Sequence, residues 1–498
     1  MFLRQSPYAC ELKLTPLAAP PPSDAMLLDA AALSGAAILD SSADDPSHGR
    51  YTVLACGPLE VIELRDDKLT DSGDNVLATG EAIWPALESA FACVRLTRTP
   101  AAAAEAGYLP GWIGYLGYEL ARYVEKLPAR AKRESLLPDL RLAFHDALLI
   151  YDAQERCWTL VELQFPQAHT PVGAGLAARE LAALLQAHAA RPPALQPPQT
   201  KPSAHPSTVP SLQALSDFEP QEYQAAVQRC IDYIAAGDIF QVNLSQRLRA
   251  RSAPSPRNIY AALRRRNPSW YGAFFQFDCP SAGGPLPCAI ISSSPELFLR
   301  VRGRHVLTRP IKGTRRRCGD ETLDRQARQD LQGSPKDNAE LAMIIDLLRN
   351  DLGRVCCYGS VRVTQRCVLE EHPTVYHLVG SVQGDLRPDV GPASLLRATF
   401  PGGSITGAPK VRAMEIIDEL EPVTRGVYTG CIGIVGVDGS CEWNIAIRTV
   451  VWENGTAFVQ AGGGIVADST PQAEYQETLD KARALLEAIN LAASAPPA

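Results

Sequence analysis

Two tight-turn signals constrain the fold of this chain more than any other feature. Val437-Asp438-Gly439 and Glu453-Asn454-Gly455 each stand between long β-rich runs. Asp-Gly and Asn-Gly suit two-residue hairpin turns, whose central positions need positive φ. The C-terminal sheet is therefore at least partly antiparallel, which argues against a simple Rossmann fold. Earlier in the chain, residues 36–42 and 49–55 read as strands. Residues 80–96 have helical spacing at Ile83, Leu87, Ala90 and Phe91. Residues 111–118 mix glycine with aromatics, which suits close backbone packing. Residues 190–215 are a Pro-rich stretch with Ala, Ser, Gln and Thr, too poor in apolar surface to fold, and read as a semi-rigid linker. The chain divides accordingly into an N-terminal region, 1–189, the linker, and a domain spanning 216–492.

The 498 residues, 46% hydrophobic and 21% charged, are ample for a large packed core. A net charge of −7 makes nonspecific nucleic-acid binding a poor fit. The thirteen cysteines form no Cys-x-x-Cys pair and no metal-finger spacing. They read as reduced thiols of a cytoplasmic protein. Residues 1–7 hold no apolar signal core, and no apolar run approaches the roughly eighteen residues that suggest a membrane span.

The chemistry concentrates in a few stretches. In Arg309-Pro310-Ile311-Lys312-Gly313-Thr314-Arg315-Arg316-Arg317, Pro310 ends a strand and Gly313 lets backbone approach a ligand. A lysine held among arginines away from water gives up part of its proton affinity and becomes a nucleophile. Alone, the same run also reads as a basic surface loop. Ser334-Pro335-Lys336-Asp337 opens a helix running to about Arg349, with Asp337 and Glu340 beside the apolar face of Leu341, Ile344, Ile345 and Leu348. A second helix opens at Thr470-Pro471 and carries Glu474 and Glu477. Such acids suit Mg²⁺, but they also favour the helix dipole, and Glu477 with Lys481 is an ordinary i, i+4 pair. Gly462, Gly463 and Gly464 end the last hairpin strand and offer N–H groups to a carboxylate, although a glycine-rich turn is often only a turn. Residues 401–410 carry the same ambiguity ahead of a helix over 409–420. Arg448 is placed mid-strand on one face with Glu442 and Asn444, either solvated or as a fork for a carboxylate. His377, in an apolar strand, reads as a satisfied core residue.

Together these stretches resemble the chorismate-utilising enzymes, densely over residues 216–490 and more loosely over the first 165. The matches fall at 237–247, 294–296, 310–315, 336–351, 401–420, 461–466 and 474–478. The resemblance implies the chorismate-binding enzyme fold: α+β, two face-to-face, largely antiparallel β-sheets with helices outside and strands added by the N-terminal region. The family includes anthranilate, aminodeoxychorismate, isochorismate and salicylate synthases. Isochorismate-type members carry a lysine base where this chain has Gln241. Lys312 matches the branch that aminates chorismate at C4, in p-aminobenzoate and folate synthesis, where anthranilate synthase has alanine. Anthranilate synthesis and a non-catalytic chorismate-binding subunit are the alternatives.

By this resemblance Lys312 is the nucleophile and Glu296 the general acid. Gly313, Thr314 and His377 line the ring; Tyr428, Arg448 and the N–H groups of Gly462, Gly463 and Gly464 take the pyruvyl carboxylate. Glu340 and Glu477 hold Mg²⁺, with Asp337 and Glu474 nearby; the family usually has glutamate where Asp337 stands. No Gly-x-Cys-x-Gly nucleophile is present and no lyase region follows residue 492, so ammonia is expected from a separate glutamine amidotransferase subunit. Tryptophan is a further ligand of the family's N-terminal region, matched here at Leu39-Asp40-Ser41 and Asn267-Pro268-Ser269-Trp270-Tyr271. Trp270 replaces the usual proline, and its indole would fill that pocket.

Overall fold

Alternating apolar residues build two large sheets in a computed structural model that describes residues 2–3, 7–43, 49–98, 106–190, 212–372 and 375–494. One sheet runs, edge to edge, from Ala214–Ser216 through Gln241–Ala250, Thr456–Ile465, Thr449–Glu453, Leu286–Ser294 and Tyr271–Cys279. It continues through Ala37–Asp40, Tyr51–Ala55, Ala147–Asp152, Cys157–Gln164, Tyr8–Leu17 and Val94–Arg98. The other begins at Ile311–Arg316 and Val375–Asp385, passes His305–Arg309, Leu297–Arg302, Cys441–Ile445 and Cys431–Gly436, and continues into Gly111–Leu116 and Leu140–His145. Strands from the first 165 residues thus extend both sheets. Among the named strands only Tyr8–Leu17 with Val94–Arg98 pair in parallel.

Period two decides the layers. Ala37, Phe275 and Ile290 point into the core shared with the second sheet, whereas Ile38, Phe274 and Ile291 face the opposite side. That second face is covered by helices, chiefly Pro256–Arg266 and Pro471–Ala493. Helix Pro335–Gly353 packs on Val375–Asp385 through Leu341, Ile344, Ile345 and Leu348. Each such side chain contributes about 1.5–3 kcal/mol by leaving water. Both expected hairpins form, and Asn454 and Gly455 take positive φ. Residues 111–116 pack as expected: a Cβ on Gly114 would lie 2.0 Å from the Arg141 carbonyl oxygen.

Three local expectations need correction. The helix expected over 80–96 is Ile83–Phe91, and Val94–Arg98 is an edge strand. Most of the expected linker, 191–211, lies outside the described residues, and Ala214–Ser216 at its end joins a sheet. Arg448 is not mid-strand. Cys441–Ile445 ends in one sheet, Thr449–Glu453 starts in the other, and Arg448 takes φ +49° between them.

Candidate active site

The chain crosses between the sheets twice at one corner. Leu286–Ser294 pairs with Thr449–Glu453 in the first sheet, and Leu297–Arg302 pairs with Cys441–Ile445 in the second. Pro295-Glu296 and Ala446-Ile447-Arg448 are the two crossings. Ile445 N donates to Glu296 O (3.0 Å), Ser293 N to Arg448 O (3.1 Å), and Ser294 Oγ to Ile445 O (2.6 Å). A left-handed φ on a non-glycine residue is strained and persists where its surroundings hold it. The corner thereby fixes Glu296 and Arg448.

Glu296 is buried and accepts a hydrogen bond from Ser404 Oγ, 2.7 Å, and one from the Ile311 backbone N–H. Burial pushes its carboxyl up to about 7, with the Ser404 bond and the Lys312 charge pulling the other way. A carboxyl poised there can give and take a proton near neutrality. Burial also lowers the proton affinity of Arg448, which has no carboxylate partner among the described residues.

Pro310 ends strand His305–Arg309, and the chain resumes as Ile311–Arg316 beside the same strand, Val375–Asp385. The register slips between Lys312 and Thr314, and Gly313 takes φ +70°. A Cβ there would stand 2.9 Å from Asp337 Cγ and 2.8 Å from Leu331, so only glycine lets the helix start so close. Lys312 Nζ lies 3.7 Å from Glu340 Oε2, and its charge also reaches Glu296 and Glu477. The expected arginine neighbourhood is not what forms. Arg309 pairs with Glu370 and Arg315 with Asp337 (3.2 Å), leaving Lys312 among acids.

His377 is a core residue, but not a satisfied one. Nδ1 meets Thr314 Oγ1 at 2.9 Å and the Gly313 carbonyl at 3.4 Å, while Nε2 is buried without a partner. Burial first, then the nearby Arg448 and His372, push its pKa well down, so the ring is neutral at pH 7.

The glycine run is not a turn. Gly462, Gly463 and Gly464 lie in strand Thr456–Ile465 opposite Ser245, Leu244 and Asn243. Pairing with the hairpin partner ends at Val459, so among the described residues no strand lies beside the other edge of this stretch. Missing Cβ atoms make room on every side. A Cβ would stand 3.0 Å from the Tyr428 hydroxyl at Gly462, 2.9 Å from Glu474 Oε2 at Gly463, and 3.4 Å from Lys312 Nζ at Gly464. The glycines thus bring Tyr428, both helix acids and Lys312 around one strand end.

The four acids sit on two helices, each against a neighbour. Glu474 Oε1 accepts from Ser469 Oγ (2.6 Å) and stands 3.8 Å from Lys336 of the other helix; its Oε2 is buried without a partner. Burial and the Glu477 charge push Glu474 up. Burial also acts on Glu477, but Lys481, 2.7 Å away, together with Lys336 and Lys312, outweighs it and holds that carboxyl down. Among the described residues no three acids, histidines or cysteines gather at one point. The hard oxygen donors and the orphaned Glu474 Oε2 nevertheless suit a cation such as Mg²⁺.

The sequence reading missed Ser404 as the partner of Glu296, and Gln241, whose Nε2 donates to Glu340 Oε2 (3.4 Å). The signal for Gln241 was present: Gln241, Asn243, Ser245 and Arg247 form a polar face on a buried strand. Elsewhere, Trp270 does not fill the N-terminal pocket. It lines a cavity of about 320 Å³ with Asp40, Arg50, Tyr108, Arg300 and Glu442. All thirteen cysteines are unbridged, and among the described residues no helix is long and apolar enough to cross a membrane.

Residues 38–487 match the family described as chorismate binding enzyme. The chain is 36% identical over 463 residues to anthranilate synthase component 1 of Geobacillus stearothermophilus, covering 91% of this chain and 89% of the relative. It is 38% identical over 451 residues to aminodeoxychorismate synthase component 1 of Klebsiella aerogenes, covering 91% and 93%. The crystal structure of anthranilate synthase component I from Streptococcus pneumoniae TIGR4 superposes with a TM-score of 0.72 at 29% identity, covering 88% of this chain and 92% of that one. With its two-sheet fold and its match over most of its length, the chain belongs to the chorismate binding enzyme family.

Proposed function

We propose that this chain aminates chorismate at C4, giving 4-amino-4-deoxychorismate with ammonia from a separate glutamine amidotransferase subunit. The observation that carries the reading is Lys312, whose Nζ lies 3.7 Å from Glu340 and within reach of the Glu296 charge. Nucleophile and acid then flank one ring. Glu296 protonates the C4 hydroxyl, which leaves as water, because hydroxide alone is a poor leaving group. Lys312, having passed a proton to water, attacks C2 as the neutral amine, and the ring double bond shifts as the C4–O bond breaks. Ammonia attacks C4, the double bond shifts back, and the C2–N bond to Lys312 breaks. Arg448 and the open edge of Gly462–Gly464 receive the pyruvyl carboxylate; Thr314 and His377 border the ring. Glu340 and Glu477, with Asp337 and Glu474 beside them, would hold Mg²⁺, which supplies positive charge for the ring carboxylate.

The relatives of similar identity include both synthases, so the product decides. Chorismate, Mg²⁺ and ammonium with the purified chain should give aminodeoxychorismate by mass spectrometry, and glutamine in place of ammonium should give none. Anthranilate with released pyruvate would overturn the reading. Without ammonia, the quenched protein should carry an added ring that maps to Lys312.

A further inference from the structure

Three rings run from the N-terminal cavity to the candidate active site. Trp270, on the cavity wall, lies against His372, ring centroids 4.1 Å apart and planes at 33°. His372 meets His377 edge to face, centroids 4.8 Å apart and planes at 78°. All three are buried. His377 in turn touches Thr314 and Gly313, the residues that follow Lys312.

We propose that Trp270 is a positioning residue for His377, acting through the imidazole of His372. The inference rests on the reading that His377 borders the substrate ring. The His377 contacts to Thr314 Oγ1 and the Gly313 carbonyl both fall on Nδ1, which leaves the imidazole free to tilt about that one nitrogen. A ring packed against its side removes the freedom. His372 is that ring; it directly follows strand Arg362–Glu371, and its backbone N–H donates to the carbonyl of Val375, which opens the next strand (2.8 Å). Its far side rests on the indole. Trp270 itself is fastened to the N-terminal region: Ser269 N donates to Ser42 Oγ (3.0 Å) and Ser42 N to Ser269 O (2.9 Å). Ala43, Tyr271 and Leu297 pack around it. The stack thus transmits the placement of the N-terminal strands to a ring beside Lys312.

The test compares KM and kcat for chorismate in the full chain carrying Trp270→Ala, Trp270→Phe, His372→Ala and the Trp270→Ala/His372→Ala pair. Trp270→Ala and His372→Ala should each raise KM roughly three- to tenfold, with kcat changed less. Trp270→Phe should restore most of the loss. The double variant should be no worse than the worse single one, because both break the same contact chain. If Trp270→Ala does not fold, Trp270→Leu, which keeps the apolar bulk but not the ring, takes its place. An unchanged KM in the folded variant, or effects that multiply in the double one, would overturn the proposal. His377→Ala is the reference: a wild-type KM there sinks the substrate-site reading instead.

Discussion

The cavity behind Trp270 and the surroundings of Lys312 are both lined by cations and carboxylates, yet they handle charge differently. At the cavity, Arg50 binds Asp152 (2.6 Å), Arg264 binds Asp40 (2.7 Å), and Glu442 takes Arg300 on one oxygen and the Tyr108 hydroxyl on the other. Burial alone would raise Glu442, but Arg300 and Arg302 outweigh it and hold it down. Apart from the Tyr271 hydroxyl, few polar groups there lack partners. Around Lys312, Glu296 is held by Ser404 and the Ile311 N–H rather than by an arginine, and Arg448 faces no carboxylate among the described residues. Gln241 Oε1, Asn243 Nδ2, His377 Nε2 and Glu474 Oε2 are buried without partners. Each orphaned group costs about 1–3 kcal/mol. The Lys312 corner thus holds the unmet polar groups that the proposed binding of a charged substrate would satisfy.

The contrast breaks most sharply at Glu296. Replacing Glu296 by Gln keeps its shape and removes the transferable proton, so kcat should fall roughly 10²–10⁴-fold with little change in KM. Steady-state kinetics that leave kcat intact would dismiss Glu296 as the acid. The mirror experiment is Glu442→Gln. It leaves Arg300 buried with no full counter-charge, so the midpoint of thermal unfolding should drop by an amount equivalent to about 3 kcal/mol. KM for chorismate should hold. A variant as stable as wild type would show that the cavity's pairing contributes little. Next in size is Arg448→Ala. Loss of a charge-assisted contact to a carboxylate should raise KM roughly 10–100-fold, with no loss of stability, since the arginine breaks no ion pair in the free protein. Destabilisation without a KM effect would make Arg448 a structural residue.

Local rules were enough for the parts of this molecule that depend on neighbours in sequence. The Asn454-Gly455 hairpin and the Ser334 cap, whose Oγ accepts from Asp337 N at 3.2 Å, follow from short-range geometry. What depended on the partner sheet was not legible. Glu442, Asn444 and Arg448 keep one phase through an apolar Ile445-Ala446-Ile447 run, so nothing local reveals that the chain changes sheets at Arg448. Nor does composition tell which charges meet. The arginines flanking Lys312 look like its neighbours along the chain, but the slip at Gly313 and the strand carrying Glu370 draw them away. The acids that do surround Lys312 come from positions 28 and 165 residues later, Glu340 and Glu477, and from the corner at Glu296.

The smallest effect tests the finest difference, a single hydroxyl on a buried acid. In the proposed mechanism Glu296 acts in its protonated form, and with its carboxyl pushed up to about 7, kcat/KM, which reports the free enzyme, should fall as pH rises through that value. Ser404 Oγ donates to Oε1 and so favours the carboxylate. In Ser404→Ala the carboxylate loses that bond, the proton is held to higher pH, and the alkaline limb should move up by roughly half a unit to one unit. At pH 8 the variant should therefore retain a larger fraction of its own maximum than wild type does. The residual activity of Glu296→Gln supplies the control, because it has no carboxyl to titrate and should lack the limb. A limb that persists in Glu296→Gln belongs to another group. A limb that stays put or moves down in Ser404→Ala would mean that the serine does not set the acid's protonation, and the difference between the two regions would then rest on burial alone.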